Sequence, residues 1–427
     1  MTNPGTRPAA PIAVVLGTRP EIVKLAGVAR GLRDRLRLVY TGQHYDEELC
    51  GSFFRGLRVP PPHVTLDGVG GTARGRQIGA MISALSDVFA AERPSVVIVQ
   101  GDTNTTSAGA QAAHYLGVPV LHVEAGLRSH DRAMPEEINR QVVGVIADLH
   151  CAPTASAAAN LRAEGVPDAR IAVTGNTIVE AVAESLPDAA QAATSLRRHG
   201  LHRDHYILAT IHRPENTDDP ERLRSILVEL ARLGLPVLFP IHPRTAAAVA
   251  RHGLTDLLAR LRVIAPVDHA TFLGLAAHAR LLVSDSGGVQ EECTVLKKPL
   301  IVVRNSTERP EAVDAGFAVL LKPGPDVSRV GRALIADRAL PRTLAARPSP
   351  FGDGLASRRI VEMALAFAEH GGTALRAHTR PEATASATAT ENPSMEENPC
   401  INPKVPMVPL PPAPEGWPQP VAATPSF

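Results

Sequence analysis

Cysteine is scarce and scattered. The four residues, Cys50, Cys151, Cys293 and Cys400, form no Cys-x-x-Cys pair. A disulfide framework and a cysteine zinc site are excluded as organising features. A reduced, cytoplasmic protein without a bound metal is expected. Long apolar runs are missing too. The longest, such as Val96–Val99 and Leu300–Val303, are strand-sized and far too short to span a bilayer. Residues 1–11 have no apolar stretch behind a basic segment, so no secretory signal is expected there. Neither sign of charge dominates: 44 Lys and Arg face 43 Asp and Glu, a net charge of +1. This excludes a bulk surface for nucleic acid or membrane, and any anion must be bound by local geometry. No internal repeat of solenoid length occurs.

What is present is an alternation. From about Ile12 to about His370, short β-branched runs follow amphipathic stretches. Strands are expected at Ile12–Leu16, Val96–Val99, Val118–Val123 and Ile171–Thr174, with helices at Glu21–Arg33, Glu136–Ala147 and Ser156–Glu164. After a polar segment near 191–204 the pattern restarts, with strands at Tyr206–Thr210, Val237–Pro240, Arg262–Ile264, Leu281–Ser284 and Pro299–Val303. Alternating strands and helices imply parallel sheets covered on both faces. A chain of 427 residues suits two such domains, and ligands of doubly wound sheets bind at the carboxyl ends of strands. Residues 381–427 hold 12 of the chain's 38 prolines, and the segment from 371 on is expected to be a disordered tail.

Most unusual polar residues stand directly after an expected strand. Gly17-Thr18-Arg19-Pro20-Glu21, with Lys24 one turn on, suits an anion at a helix start, and a solvated surface turn is its plain alternative. Asp102, in Gln100-Gly101-Asp102-Thr103-Asn104, is either a cleft carboxylate or a helix N-cap. Glu124 ends the run His122-Val123-Glu124-Ala125-Gly126-Leu127-Arg128. Glu136 and Arg140 lie one turn apart in Met134-Pro135-Glu136-Glu137-Ile138-Asn139-Arg140, where a surface pair is the alternative. Asp102, Glu124 and Glu136 together give three carboxylates whose proximity would push their pKa values apart, leaving one as base and one as acid. His212 and Arg213 could contact a phosphate, and His242 is a weaker copy of the same motif. Ser284-Asp285-Ser286-Gly287-Gly288-Val289-Gln290-Glu291-Glu292 is the most specific. Ser286, Gly287 and Gly288 offer donors at a helix N-terminus, and Glu292 lies one turn in, where it can accept from ribose hydroxyls. Arg304-Asn305-Ser306-Thr307-Glu308-Arg309-Pro310-Glu311 follows one more strand.

With these motifs in order, roughly Ile12 to Ala368 resembles the non-hydrolysing UDP-N-acetylglucosamine 2-epimerase family. The resemblance implies a glycosyltransferase-B-like fold: an N-terminal Rossmann-like domain (1–175), a UDP-binding one (176–353), and a last helix near 354–369 crossing back to the first. It implies a homodimer that takes UDP-GlcNAc and UDP-ManNAc without nicotinamide or other cofactor. The reaction implied is elimination of UDP to 2-acetamidoglucal, then readdition. Carried over by motif, Asp102, Glu124 and Glu136 become the acid/base carboxylates. Arg19, Lys24, Arg140, His212, Ser286, Gly287, Gly288 and Arg309 become the substrate and diphosphate contacts, and Glu292 the ribose acceptor. Gln43, His44 and His242 match positions tied to an allosteric UDP-GlcNAc, although Asp46 replaces an expected Gln. A hydrolysing 2-epimerase, an epimerase of a diacetamido uronic acid sugar, a glycosyltransferase of the same fold and a catalytically dead UDP-sugar sensor remain the alternatives.

Overall fold

The computed structural model describes residues 10–43, 54 and 56–370. His44, Asp46 and the segment 371–427 lie outside the described residues. Thirteen strands fall into two parallel sheets among the described residues. The first holds β1 (Ile12–Leu16), β2 (Leu36–Tyr40), β3 (Val64–Thr65), β4 (Val96–Gln100), β5 (Val120–Val123), β6 (Leu149–Ala152) and β7 (Ile171–Val173). Its order is β3-β2-β1-β4-β5-β6-β7. The second holds β8 (Ile207–Thr210), β9 (Val237–Pro240), β10 (Arg262–Ile264), β11 (Leu281–Ser284), β12 (Leu300–Val303) and β13 (Ala318–Leu321). Its order is β10-β9-β8-β11-β12-β13. Both are doubly wound. The order reverses between β1 and β4, and again between β8 and β11, which opens a crevice at each carboxyl edge.

The strand sequences account for this. Along β1 and β4, Ile12, Val14, Leu16, Val96 and Ile98 pack into one core, and Ala13, Val15, Val97 and Val99 into another. Alternate side chains point to opposite faces of a strand, so an unbroken apolar run fills two cores at once. The second sheet repeats the device, with Ile207, Ala209 and Val283 on one face and Leu208, Leu282 and Val302 on the other. Each buried aliphatic side chain contributes about 1.5–3 kcal/mol. The final helix, Ala356–His370, places Ile360, Val361, Ala364 and Phe367 in the first sheet's core.

Four strands were not anticipated: β2, β3, β6 and β13. Each is short or interrupted by polarity, as in Leu-Arg-Leu-Val-Tyr and Leu-His-Cys-Ala, and each gains its identity from a neighbour rather than from its own pattern. The expected Val118–Val123 strand begins only at Val120. Among the described residues, no helix is long and apolar enough to cross a membrane, and no group of three or more His, Cys, Asp or Glu is placed to hold a metal ion. The described cysteines, Cys151 and Cys293, are buried free thiols. Burial raises both, Cys151 to about 12, so neither is a nucleophile at neutral pH.

Candidate active site

The turn after β1 must pass very close to its neighbours. A Cβ on Gly17 would lie 2.1 Å from Thr41 Oγ1 and 2.3 Å from Thr105 Oγ1, so no larger residue fits. Glu21, fully buried in the first turn of the helix Arg19–Leu32, accepts from Gly17 N (3.0 Å), Thr18 Oγ1 (2.8 Å) and Thr103 Oγ1 (2.7 Å). One carboxylate thus ties the loop after β1 to the loop after β4. Burial raises the proton affinity of Glu21 despite these donors.

Asp102 follows Gly101, whose φ of 72° turns the chain sharply out of β4. The helix cap is Thr103, not Asp102: its hydroxyl accepts from Thr106 N. Asp102 is free to pair with Arg140, with Oδ2 2.6 Å from Nη2 and 3.0 Å from Nε. His122 Nε2 sits 2.8 Å from Gly101 O, so this nitrogen donates and steadies the same turn. Burial lowers the His122 pKa to about 4, which keeps the ring neutral. Gln43 Oε1 accepts from Thr105 N and Thr105 Oγ1, both at 2.9 Å. Gln43 therefore braces the loop of Asp102.

Glu136 lies in the first turn of the helix Pro135–Ile146 and is partly exposed. It does not pair with Arg140. Its neighbour does: Glu137 Oε2 is 2.5 Å from Arg140 Nη1 and also accepts from Ser129 N (2.9 Å). These bonds hold the Glu137 carboxyl below its ordinary range against the effect of burial. Arg140 is thereby clamped between Glu137 and Asp102.

Glu124 takes a left-handed backbone, φ 63°, immediately after β5. Its Oε2 is 2.5 Å from Lys24 Nζ and 3.1 Å from Gln100 Nε2, and its Oε1 is 3.3 Å from Arg309 Nη2. Arg309 comes from the loop after β12. Its Nε lies 2.6 Å from Glu291 Oε1, while Lys24 Nζ lies 2.8 Å from Glu291 Oε2. Lys24, Glu124, Arg309 and Glu291 thus close a buried four-membered ring. Glu308 pairs with Arg309 on one side and with Arg304 (2.8 Å) on the other. Burial raises Glu124, and the nearby Glu291 adds to this against Lys24 and Arg309. For Glu291, Arg309 and Lys24 outweigh burial and hold it low. The three expected carboxylates are not in direct contact; the partner that separates Glu124's proton affinity from its own is Glu291.

In the second half, Asp285 is fully buried between β8 and β11. It accepts from His212 N (3.0 Å), Arg213 N (2.9 Å) and Asn216 Nδ2 (3.0 Å). His212 Nδ1 is 3.5 Å from the same carboxylate, and its ring stacks at 5.5 Å on His242. Burial lowers both imidazoles. His242 also caps the helix Pro243–Arg251, its Nδ1 accepting from Arg244 N at 3.1 Å. Ser286 stands at the N-cap of the helix Gly287–Leu296 without bonding into it. The first N–H groups of such a helix have no internal acceptor and point at an incoming anion. A Cβ on Gly287 would meet Arg309 Nη1 at 2.7 Å, so this glycine makes room for the guanidinium. Glu292 is buried one turn in and accepts from His269 Nε2 at 3.0 Å. Arg19 opens its helix as an exposed side chain.

Among the carboxylates of the site, Glu21, Glu137, Asp285, Glu291 and Glu308 were not singled out from sequence. Glu21 carried a local signal, because Thr18-x-x-Glu21 has capping-box spacing. Beside Glu308, a cavity of about 180 Å³ opens between the two halves, lined by Ser129, His130, Asn160, Thr307 and Glu311 among others.

Residues 31–365 match the model of the family described as UDP-N-acetylglucosamine 2-epimerase. The UDP-N-acetylglucosamine 2-epimerase of Methanocaldococcus jannaschii is 39% identical over 364 residues, covering 82% of this chain and 98% of its own. The UDP-2,3-diacetamido-2,3-dideoxy-D-glucuronate 2-epimerase of Pseudomonas aeruginosa is also 39% identical, over 362 residues, covering 82% and 98%. The fold is similar to that of a crystal structure of the M. jannaschii UDP-GlcNAc 2-epimerase in complex with UDP-GlcNAc and UDP. That match has a TM-score of 0.75 and 38% identity, and covers 83% of this chain and 99% of that one.

Proposed function

We propose that this chain, which belongs to the UDP-N-acetylglucosamine 2-epimerase family, interconverts UDP-GlcNAc and UDP-ManNAc without releasing free sugar. The C2 proton is removed and UDP leaves C1, giving 2-acetamidoglucal and UDP. UDP then adds back to C1 and a proton returns to the other face of C2. Asp102, Glu124 and Glu136 are the acid/base groups. The observation that carries the reading is Glu124, a buried carboxylate of raised proton affinity held between cations from both halves. Abstracting a proton from carbon calls for a carboxylate tuned toward neutral pH in a water-poor site.

UDP is anchored mainly by the second half, with cations added from the first. The free N–H groups after Ser286, with Gly287 and Gly288, take the diphosphate, Lys24, Arg19, Arg140 and Arg309 complete its charge, and His212 adds a hydrogen-bond donor. Glu292 takes the ribose. We further propose that the enzyme works as a cytoplasmic homodimer. A second reading, the diacetamido uronate sugar, is supported by the P. aeruginosa relative, which is as similar as the M. jannaschii one. Proton NMR of the protein in D2O, with UDP-GlcNAc and in parallel with the UDP-linked diacetamido uronate, tests both. UDP-ManNAc carrying deuterium at C2 is the expected product. UDP plus free ManNAc moves the protein to the hydrolysing reaction. Turnover of the diacetamido uronate alone selects the second reading.

A further inference from the structure

We propose that Glu291 is a positioning residue of this site: it holds Lys24 and Arg309 against Glu124 while preventing either cation from being committed to Glu124 alone. The inference rests on the acid/base role of Glu124. Its basis is the ring geometry. Lys24 and Arg309 each touch both Glu124 and Glu291, and all four side chains are at most 7% exposed. Asn176 Nδ2, at 3.2 Å from Glu291 Oε1, fixes the carboxylate from one further side. Glu124 is faced by Lys24 from the helix Arg19–Leu32, Gln100 from β4, Glu291 from the helix Gly287–Leu296 and Arg309 from the loop after β12.

Remove the charge of Glu291 and two cations bear on one carboxylate. Glu124 is then held ionised, a weaker base and a poorer acid. The same change leaves one uncompensated positive charge beside the diphosphate position. The two consequences have opposite signs: chemistry suffers while anion binding improves. A residue that only supports the fold would weaken both.

The test compares wild type, Glu291→Gln and Glu291→Asp. For Glu291→Gln, the acidic limb of kcat/KM should move down by about one pH unit, the size expected for loss of a like charge at this range. Inorganic pyrophosphate, titrated by calorimetry, should bind about tenfold tighter, with the gain fading in high salt. Glu291→Asp keeps the charge but shortens the reach. It should leave the limb in place and lower kcat by about tenfold, since near-attack geometry is sensitive to ångström displacements. A wild-type limb or weaker pyrophosphate binding in Glu291→Gln overturns the proposal, as does wild-type kcat in Glu291→Asp. If the wild type does not epimerise at all, the functional reading fails, and the pyrophosphate comparison alone decides the electrostatic role.

Discussion

The two crevices are built on one plan and loaded differently. In each, a buried carboxylate ties the loops on either side of the point where strand order reverses: Glu21 in the first sheet, Asp285 in the second. The donors differ. Glu21 is held mainly by threonine hydroxyls, Asp285 by backbone N–H groups and an amide. What the loops then present differs more. The first crevice offers Asp102 and Glu124; the second offers His212, Ser286, a helix N-terminus and Arg309. The topology supplies placement, and the residue types at the strand ends decide the chemistry. On the proposed reading the proton-transferring carboxylates all come from the first half while the cations come from both, and the ring of Lys24, Glu124, Arg309 and Glu291 joins the two.

This division can be broken from either side. The largest effect is expected for Glu124→Gln, which should cut turnover by about 10³-fold or more, the scale of a lost acid/base group, while UDP binds no more weakly than to wild type by calorimetry. Next come the two loop ties. Asp285→Asn should cost about 1.5–3 kcal/mol in urea denaturation, because its partners are donors only and the new NH2 cannot accept from them. Glu21→Gln should cost about 1 kcal/mol or less, because hydroxyls can turn to donate or accept. Equal losses would remove the contrast. Glu292→Ala should weaken UDP by about tenfold with little change in kcat, the scale of one or two hydrogen bonds to a charged group.

A separate test concerns pH. Burial lowers His122 to about 4 and His150 to about 3, against 6.5 for an exposed histidine. Between these values the unfolded chain binds more protons than the folded one. The stability from these residues is therefore complete above about 6.5 and declines as pH falls toward 4 and below. Urea midpoints at pH 7.5 and 5 should show the decline, and His150→Met should remove about half of it.

Much of this was legible in the sequence, and what was not has a common cause. Strands β1, β4, β8 and β11 open as apolar runs buried on both faces, so the crevices at their ends, and Asp102, His212 and Ser286 beside them, could be located, with Glu124 at the end of β5. The sequence suggests Glu136 as a partner of Arg140, yet helical spacing allows Glu137 as well. Only the path of the loop at Ser129 and His130, which delivers two backbone N–H groups to Glu137, separates them. Glu291 sits beside Glu292 in one helix turn, and a local pattern reads both as acids near a helix start. Its partners Lys24 and Arg309 are 267 and 18 residues away, and it is the meeting of two separate sheets that makes it a ring member. Local signals find what a loop presents. They do not find what faces it.

The helix Ala356–His370 has a consequence for how the chain is made. It inserts Ile360, Ala364 and Phe367 among side chains from β1, β2 and β4, which leave the ribosome some 260 to 350 residues earlier. The first-synthesised layer therefore waits, with an apolar groove open, until Phe367 has emerged. Such a chain cannot complete its halves in order of synthesis. The second sheet can finish before the first, and during that interval the open groove is the part of the nascent protein most in need of a chaperone.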